Sequence, residues 1–105
     1  IAAAPVADTL KRAGPDGTIA ATVDRAGLWA AQTPQAFWLP VLRAAFAAAD
    51  DEVLDTATDC AGMVAARGGR VRLVDPGAPN LKVTTPADVA LAEHLLGAVA
   101  GGGMA

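Results

Sequence analysis

The stretch that decides how the chain folds is DRAGLWAAQTPQAF, residues 24–37. Arg25 lies in a turn, and the uncharged apolar run after it predicts a short buried strand over 28–32. This strand enters a corner at Thr33-Pro34. Arg25 and Thr33 form a candidate anion site, because guanidinium and hydroxyl groups both donate to phosphate oxygens. The alternative is a solvated arginine before a buried strand, and these two features alone favour that alternative.

The composition bounds the class of protein. The chain has 105 residues, 53% of them hydrophobic, which is enough for one small domain. Its net charge of −3 argues against non-specific nucleic-acid binding. The single cysteine, Cys60, cannot form an internal disulfide and fits a reducing compartment. We find no apolar run of membrane-spanning length and no signal peptide, so the sequence predicts a cytoplasmic protein without a membrane partner.

The chain before residue 24 predicts a β-hairpin. Its turn is the segment GPDG at 14–17, where Pro15 presets φ and Gly17 allows a positive φ. Predicted strands over 9–12 and 18–23 flank this turn. Neither strand has enough large apolar side chains to be stable alone. We therefore expect the arm to lie on another surface, and a second subunit is one candidate.

The remaining elements alternate along the chain. In order they are a strand over 1–6, the hairpin, the strand over 28–32, two helices, strands over 71–74 and 81–83, and a last helix. Strands interleaved with helices indicate an α/β sheet fold, here only part of the sheet. A glycine-rich segment, 100–105, predicts a flexible tail or linker.

Local signals predict where the helices begin and end. The first helix begins at Pro40, and its inner face is expected to be Leu42, Ala45, Phe46 and Ala49. The acidic residues 50–52 end it as an exposed, hydrated run. The second helix is capped by Thr58 and terminated by Gly68-Gly69. The last helix begins at Thr85-Pro86, and its buried stripe is expected to be Val89, Ala92, Leu95, Leu96 and Val99.

The residues alone complete no standard catalytic set. His94, the only histidine, falls on the polar side of the last helix. Cys60 lies inside a predicted helix without a nearby histidine, which favours a buried thiol over a nucleophile. Neither metal-ligand spacing nor a glycine-rich phosphate loop occurs. By itself the sequence supports an anion-binding α/β unit with Arg25, Lys82 and a few threonines as candidate ligands.

Five segments together resemble the C-terminal half of the 2-C-methyl-D-erythritol 4-phosphate cytidylyltransferase family. They are DTLKRA at 8–13, TVDRAGLW at 22–29, QTPQAF at 32–37, Thr58-Asp59, and NLKVTTPADVALAE at 80–93. Related sugar-alcohol-phosphate cytidylyltransferases share the QTPQ motif. The combination with the second and fifth segments is more specific to this family.

The resemblance implies a fold, an assembly and an activity. The family has a Rossmann-like α/β nucleotidyltransferase sheet with a protruding β-arm that clasps the partner in a homodimer. Residues 1–99 would be the C-terminal half of that domain, with the arm at about 8–25. The implied activity is transfer of a cytidylyl group from CTP to 2-C-methyl-D-erythritol 4-phosphate with release of pyrophosphate. It belongs to non-mevalonate isoprenoid precursor synthesis and uses Mg²⁺.

The resemblance also assigns roles to residues. Matched motif by motif, Arg25 and Lys82 are expected to be catalytic, whereas Thr9, Thr33 and Thr58 are expected to bind the acceptor substrate. The acceptor phosphate attacks the α-phosphate of CTP in line, so catalysis is mostly positioning and charge stabilisation. Arg25 would hold the dianionic acceptor, and Lys82 would act as a compact charge. Thr58 would add a hydroxyl at a helix N-terminus, where the dipole favours an anion.

Two features of the chain depart from the family. Cys60 stands where the family usually has an acid. The nucleotide loop and the aspartate that serves Mg²⁺ belong to the family's N-terminal half, so this chain alone is predicted neither to bind CTP nor to turn over. Two alternatives remain: an acceptor such as ribitol phosphate or another pentitol phosphate, and a non-catalytic dimerisation or phosphate-binding fragment.

Overall fold

The computed structural model describes residues 1–77 and 79–102. The elements are β1 (Ala3–Pro5), β2 (Leu10–Ala13), β3 (Ile19–Val23), β4 (Trp29–Ala31), α1 (Leu39–Ala48), α2 (Asp51–Thr56), α3 (Cys60–Ala66) and α4 (Pro86–Gly102). The chain is therefore α/β, with two small antiparallel sheets. It divides into two compact units, Ile1–Asp75 and Pro76–Ala105, and the domain predicted over 1–99 spans both.

The first sheet is built around β1. This strand pairs antiparallel with β4, with Ala3 opposite Ala31 and Pro5 opposite Trp29. On its other side the chain runs parallel to it: the Ala3 amide donates to the Val74 carbonyl at 3.0 Å. Ala3 is fully buried between these neighbours. The strands predicted over 1–6 and 28–32 are thus confirmed with shorter bounds, but β4 is exposed and not buried as predicted, since a strand at the edge of this small sheet has little to cover it.

The strand predicted over 71–74 is reduced to a single bridge, in which Val74 pairs with Ala2. Two further hydrogen bonds hold this segment, from the Val74 amide to the Ile1 carbonyl at 2.9 Å and from the Ile1 amino group to the Arg72 carbonyl at 2.7 Å. The bridge lies at the start of β1, and beyond Val74 the chain continues as a loop and forms no further pairs with this strand.

The second sheet is the predicted hairpin arm. Strands β2 and β3 are antiparallel, with Leu10 opposite Val23 and a register break beside Ala13. Gly17 has a φ of +79°, as the turn signal predicts. Nearly all of the arm is exposed, including Ile19 at 67%. The predicted hairpin is confirmed, and a two-stranded ribbon of this size is marginal without further contacts.

A small apolar core joins α1 to α3. Ala45, Met63 and Val64 are buried, and Phe37, Leu42, Ala49 and Val71 pack against them. The predicted inner face of α1 is confirmed except at Phe46, which stays 47% exposed. This core is too small to cover the whole face, since three buried side chains form its centre.

Two helix starts differ from the prediction. The acidic run 50–52 begins a helix instead of ending one, because the Asp50 carboxylate accepts the Val53 amide at 2.9 Å and caps α2. Aspartate is a strong N-cap, and acids in a first turn complement the helix dipole. The cap of α3 is Asp59 and not Thr58, since the Asp59 carboxylate accepts the Gly62 amide at 2.8 Å.

The end of α3 follows the prediction. Gly68 has a φ of +80°, the left-handed conformation that glycine adopts without strain. Gly69 is held for another reason. A Cβ added there would lie 2.6 Å from Val64 Cγ1 and 2.8 Å from the Val64 carbonyl oxygen. The chain therefore turns back tightly against the helix that it has just left.

In the second unit, α4 begins with the predicted capping box. The Thr85 hydroxyl accepts the Asp88 amide at 3.3 Å, and Asp88 Oδ2 accepts the Thr85 amide at 3.0 Å. The same carboxylate oxygen accepts the amide and the hydroxyl of Thr84, at 3.1 and 3.0 Å. These bonds, those from Thr84 first, lower the pKa of Asp88. The predicted helix start is confirmed.

Other predictions for the second unit differ from the structure. The described residues 81–83 form no strand. In the predicted buried stripe of α4, Val89 and Leu96 are 47% and 69% exposed. The described part of this unit contains one helix and irregular chain, so the unit itself supplies no second helix or strand for the stripe to pack against. The side chain of Val99 lies outside the described residues, and α4 continues through Gly102, so part of the predicted tail is helical.

Candidate functional site

Arg25 lies in the turn between β3 and β4, as the sequence predicts. The Leu28 amide donates to its carbonyl at 3.0 Å, and Gly27 takes a φ of +74° at the third position of this turn. The exposed guanidinium donates from Nη1 to the backbone carbonyl of Ala7. A guanidinium has five N–H donors in a planar fork, so others remain to face an anion.

Thr9 lies close to Arg25 in the fold. It is exposed and directly precedes β2, whose first residue, Leu10, pairs with Val23 at the end of β3. The bond from Arg25 to Ala7 closes the same end of the hairpin. The structure therefore brings Thr9 and Arg25 to the base of the arm, at the end away from its turn.

Thr33 lies in the corner after β4. The Thr33–Pro34 peptide bond is cis, and the corner is bound to the chain before β1 on both sides. The Gln32 amide donates to the Ala2 carbonyl at 2.9 Å, and the Ala2 amide donates to the Pro34 carbonyl at 3.1 Å. Thr33 is exposed at this corner and is thus separated from Arg25 by the length of β4.

Gln35 connects the corner to the start of α3. Its Nε2 donates to Asp59 Oδ2 at 3.1 Å and to the Gln32 carbonyl at 3.4 Å, and its Oε1 accepts the Ala61 amide at 3.3 Å. Thr58 directly precedes Asp59, so the segments that hold Thr33 and Thr58 are joined. Sequence reasoning did not assign Gln35 to the site, although this residue belongs to the QTPQ motif at 32–35.

The helix dipole does not support the expected role of Thr58. The Gly62 amide at the start of α3 donates to Asp59, and the Ala61 amide donates to Gln35. These donors are engaged inside the chain, and a carboxylate already lies where an anion was expected. The exposed Thr58 can contribute its hydroxyl, but the helix N-terminus does not form an anion site with it.

Lys82 belongs to the second unit. It is exposed in the irregular segment that leads to α4 and lies in no strand. His94 is exposed on α4, as predicted, whereas Cys60 is a half-buried free thiol in the first position of α3. Within residues 1–77 and 79–102, no group of three or more His, Cys, Asp or Glu side chains forms a metal site. No helix in the same residues is long and apolar enough to cross a bilayer.

The first unit also has an open cavity of about 490 Å³. Its lining is mostly apolar and includes Phe37, Trp38, Val41 and Val71, together with Arg70 and Arg72 at its edge. Trp38 is 84% exposed beside it. None of the five predicted site residues belongs to this lining, and all five are exposed.

Comparison with known proteins defines the class of protein. The family profile of IspD, 2-C-methyl-D-erythritol 4-phosphate cytidylyltransferase, matches residues 1–98. A relative of that name from Synechococcus elongatus is 49% identical over 96 residues, which are 91% of this chain and 41% of the relative. Another from Rubrobacter xylanophilus is 52% identical over 99 residues, 93% of this chain and 42% of the relative.

Solved structures agree with these sequence matches. A crystal structure of 4-diphosphocytidyl-2C-methyl-D-erythritol synthase superposes with a TM-score of 0.75 at 49% identity, over 91% of this chain and 42% of that one. A 2-C-methyl-D-erythritol 4-phosphate cytidylyltransferase from Thermus thermophilus gives a TM-score of 0.68 at 35% identity, over 90% and 46%.

The sequence matches and the structure matches thus point to one family of cytidylyltransferases. The chain belongs to the 2-C-methyl-D-erythritol 4-phosphate cytidylyltransferase family. It spans 41 to 42% of the length of the two curated relatives compared above.

Proposed function

We propose that this chain supplies the acceptor-binding and dimerising part of an enzyme that transfers a cytidylyl group from CTP to 2-C-methyl-D-erythritol 4-phosphate. Pyrophosphate is the second product, and the reaction belongs to non-mevalonate isoprenoid precursor synthesis in the cytoplasm. The observation that carries the proposal is the family match over residues 1–98. In this proposal the chain is the C-terminal part of a Rossmann-like sheet.

The separation of the candidate ligands supports an assembly of two subunits. Thr9 and Arg25 lie before β4 at the base of the arm, whereas the segments of Thr33 and Thr58 meet after β4. One copy of the first unit therefore presents two groups at opposite ends of a strand. In the proposed homodimer the arm of one subunit reaches the second group of the other subunit, so that a complete acceptor site contains residues of both.

The chemistry assigns a role to each side chain. A phosphate oxygen of the acceptor attacks the α-phosphorus of CTP, the new P–O bond forms, and the bond to the pyrophosphate leaving group breaks. Arg25 binds the dianionic acceptor phosphate with the donors that Ala7 does not use. Lys82 places a compact positive charge near the reacting phosphates. Thr9, Thr33 and Thr58 donate hydroxyl hydrogen bonds that orient the acceptor.

Mg²⁺ belongs to the proposal as the ion that neutralises charge on the CTP phosphates. Following the family resemblance, we assign its aspartate ligand to the N-terminal half of the family's domain and to no residue named here. The roles proposed here are accordingly those of the chain's own side chains.

The test is a chimera in which this chain replaces the matching part of the Synechococcus elongatus relative. Release of pyrophosphate is measured with CTP and either 2-C-methyl-D-erythritol 4-phosphate or ribitol 5-phosphate, and this chain alone is the control. We expect turnover with the first acceptor and none from this chain alone. Preference for ribitol 5-phosphate would contradict the proposed acceptor. A folded chimera that is inactive with both acceptors would favour a non-catalytic fragment.

A further inference from the structure

The side-chain amide of Gln35 has a partner for each of its polar atoms. Nε2 donates to Asp59 Oδ2 at 3.1 Å and to the Gln32 carbonyl at 3.4 Å, while Oε1 accepts from the Ala61 amide at 3.3 Å. Two acceptors face the nitrogen and one donor faces the oxygen. The orientation of the amide is therefore set by its surroundings, because the reversed amide would meet two acceptors with its oxygen.

The two carboxylate oxygens of Asp59 accept hydrogen bonds from different donors. Oδ1 accepts the Gly62 amide at 2.8 Å and caps α3, whereas Oδ2 accepts from Gln35. An ionised carboxylate has acceptors only, so it needs a donor on its second oxygen when it is half-buried. Among the residues that the structure describes there, Gln35 supplies this donor.

We propose that Gln35 is a positioning residue for the acceptor site. It joins the corner after β4 to the start of α3, with Thr33 two residues before it and Thr58 one residue before its partner Asp59. The amide thereby sets the spacing between two hydroxyls that come from segments 24 residues or more apart. This role rests on the proposed function, because it concerns how those two threonines meet the acceptor.

The geometry makes the role testable by exchanging donor and acceptor. In a Gln35→Glu variant two carboxylates face each other across the 3.1 Å contact, and the donor is lost. In an Asp59→Asn variant two amide groups compete for the same contact. In the double variant the Asn amide nitrogen donates to the Glu carboxylate, and the Asn oxygen still accepts the Gly62 amide. Only the longest bond, to the Gln32 carbonyl, is then lost.

The experiment measures kcat and the KM of each substrate in the chimera. We expect each single variant to raise the KM of the acceptor or to lower kcat by ~10-fold, since misplaced positioning groups cost up to about 100-fold. The KM of CTP should stay within ~2-fold of the unsubstituted chimera, and the double variant should recover to within ~3-fold. The matched control is Glu52→Gln, the reverse isosteric exchange on the exposed α2, which should change neither constant.

The outcomes separate the two hypotheses. An active chimera in which Gln35→Glu leaves the acceptor KM and kcat unchanged would overturn the positioning role alone. So would a double variant that unfolds at the same temperature as the unsubstituted chimera but fails to recover, or single variants that shift the KM of CTP as much as that of the acceptor. Inactivity of the unsubstituted, folded chimera would instead overturn the proposed function, and the positioning role with it.

Discussion

Arg25 donates a hydrogen bond to the backbone carbonyl of Ala7, eighteen residues earlier in the chain. Ala7 precedes β2 and Arg25 follows β3, so the bond closes the hairpin at its base. The same guanidinium thus belongs to the arm and to the proposed acceptor site. Because one edge of it is already held, an incoming phosphate meets a side chain with less rotational freedom left to lose.

The first prediction concerns Arg25 in the chimera. Arg25→Ala removes both the bond to Ala7 and the positive charge, so kcat/KM should fall by at least ~10- to 100-fold. Arg25→Lys keeps the charge but cannot present two parallel donors. Its kcat/KM should therefore lie between that of the unsubstituted chimera and that of Arg25→Ala. Arg43→Ala, an exposed arginine on α1, is the control. Normal turnover by Arg25→Ala would remove Arg25 from the site.

The second prediction concerns Lys82, which lies in the irregular segment before α4. If it stabilises charge that develops on the reacting phosphates, Lys82→Ala should lower kcat by at least ~10- to 100-fold and change the acceptor KM much less. Lys82→Arg should not restore the rate, because a planar guanidinium does not replace a compact ammonium. The measurement is steady-state kinetics. If Lys82→Ala leaves kcat unchanged, Lys82 is an ordinary exposed lysine.

The start of α4 leads to a prediction about pH. Hydrogen bonds from Thr84 lower the pKa of Asp88 below the ordinary value of 3.8. A depressed folded-state pKa means that the stability due to this carboxylate is present above the ordinary value and is lost as pH falls through the folded one. The amides of Thr84 and Thr85 should therefore stay protected from hydrogen exchange down to about pH 4 and lose protection below it.

Asp88→Asn is the matched variant, because it keeps one acceptor oxygen but cannot titrate. In this variant the protection of the Thr84 and Thr85 amides from hydrogen exchange should be weaker and nearly independent of pH over the same range. Asp16 is an internal comparison in the hairpin, since the Thr18 hydroxyl and amide lower its pKa in the same direction. A carboxyl titration of Asp88 at the ordinary aspartate value would contradict the capping box.

Two caps explain which parts of the fold the sequence can predict. The cap of α4 is complete within residues 84–88, so local reasoning placed it correctly. The cap of α3 was placed one residue early, because Thr58 and Asp59 are both good caps by type. Gln35, 24 residues away, contacts Asp59 and so decides between them. The sequence near residue 59 does not indicate that contact.

The same distinction separates confirmed strands from those that failed. The hairpin has its turn and both strands in one segment, and it forms as predicted. The strand predicted over 81–83 meets no partner strand in the described part of the second unit, and these residues form no strand there. For the site, the residues alone made Arg25, Lys82 and a few threonines candidate ligands, and the resemblance assigned their roles, whereas the proposed role of Gln35 required the structure.

The last prediction compares two glycine substitutions. Gly69→Ala would place a Cβ 2.6 Å from Val64 Cγ1, so it should destabilise the chain by ~1–3 kcal/mol, as overpacking does. Gly97→Ala, within α4, meets nothing within 4 Å and should stabilise that helix by ~0.5–1 kcal/mol. Thermal unfolding followed by circular dichroism should therefore shift in opposite directions. A Gly69→Ala variant as stable as the parent would show that Val64 moves aside freely.

The two glycines that end α3 differ in which residue types can replace them. At position 68 the constraint is a dihedral angle of +80°, which asparagine also tolerates, so this position can accept more than one residue type. At position 69 the constraint is the space beside Val64, which every Cβ would invade. Two adjacent glycines thus differ in mutational tolerance, and a larger residue at position 69 requires a compensating change at Val64 in the preceding helix.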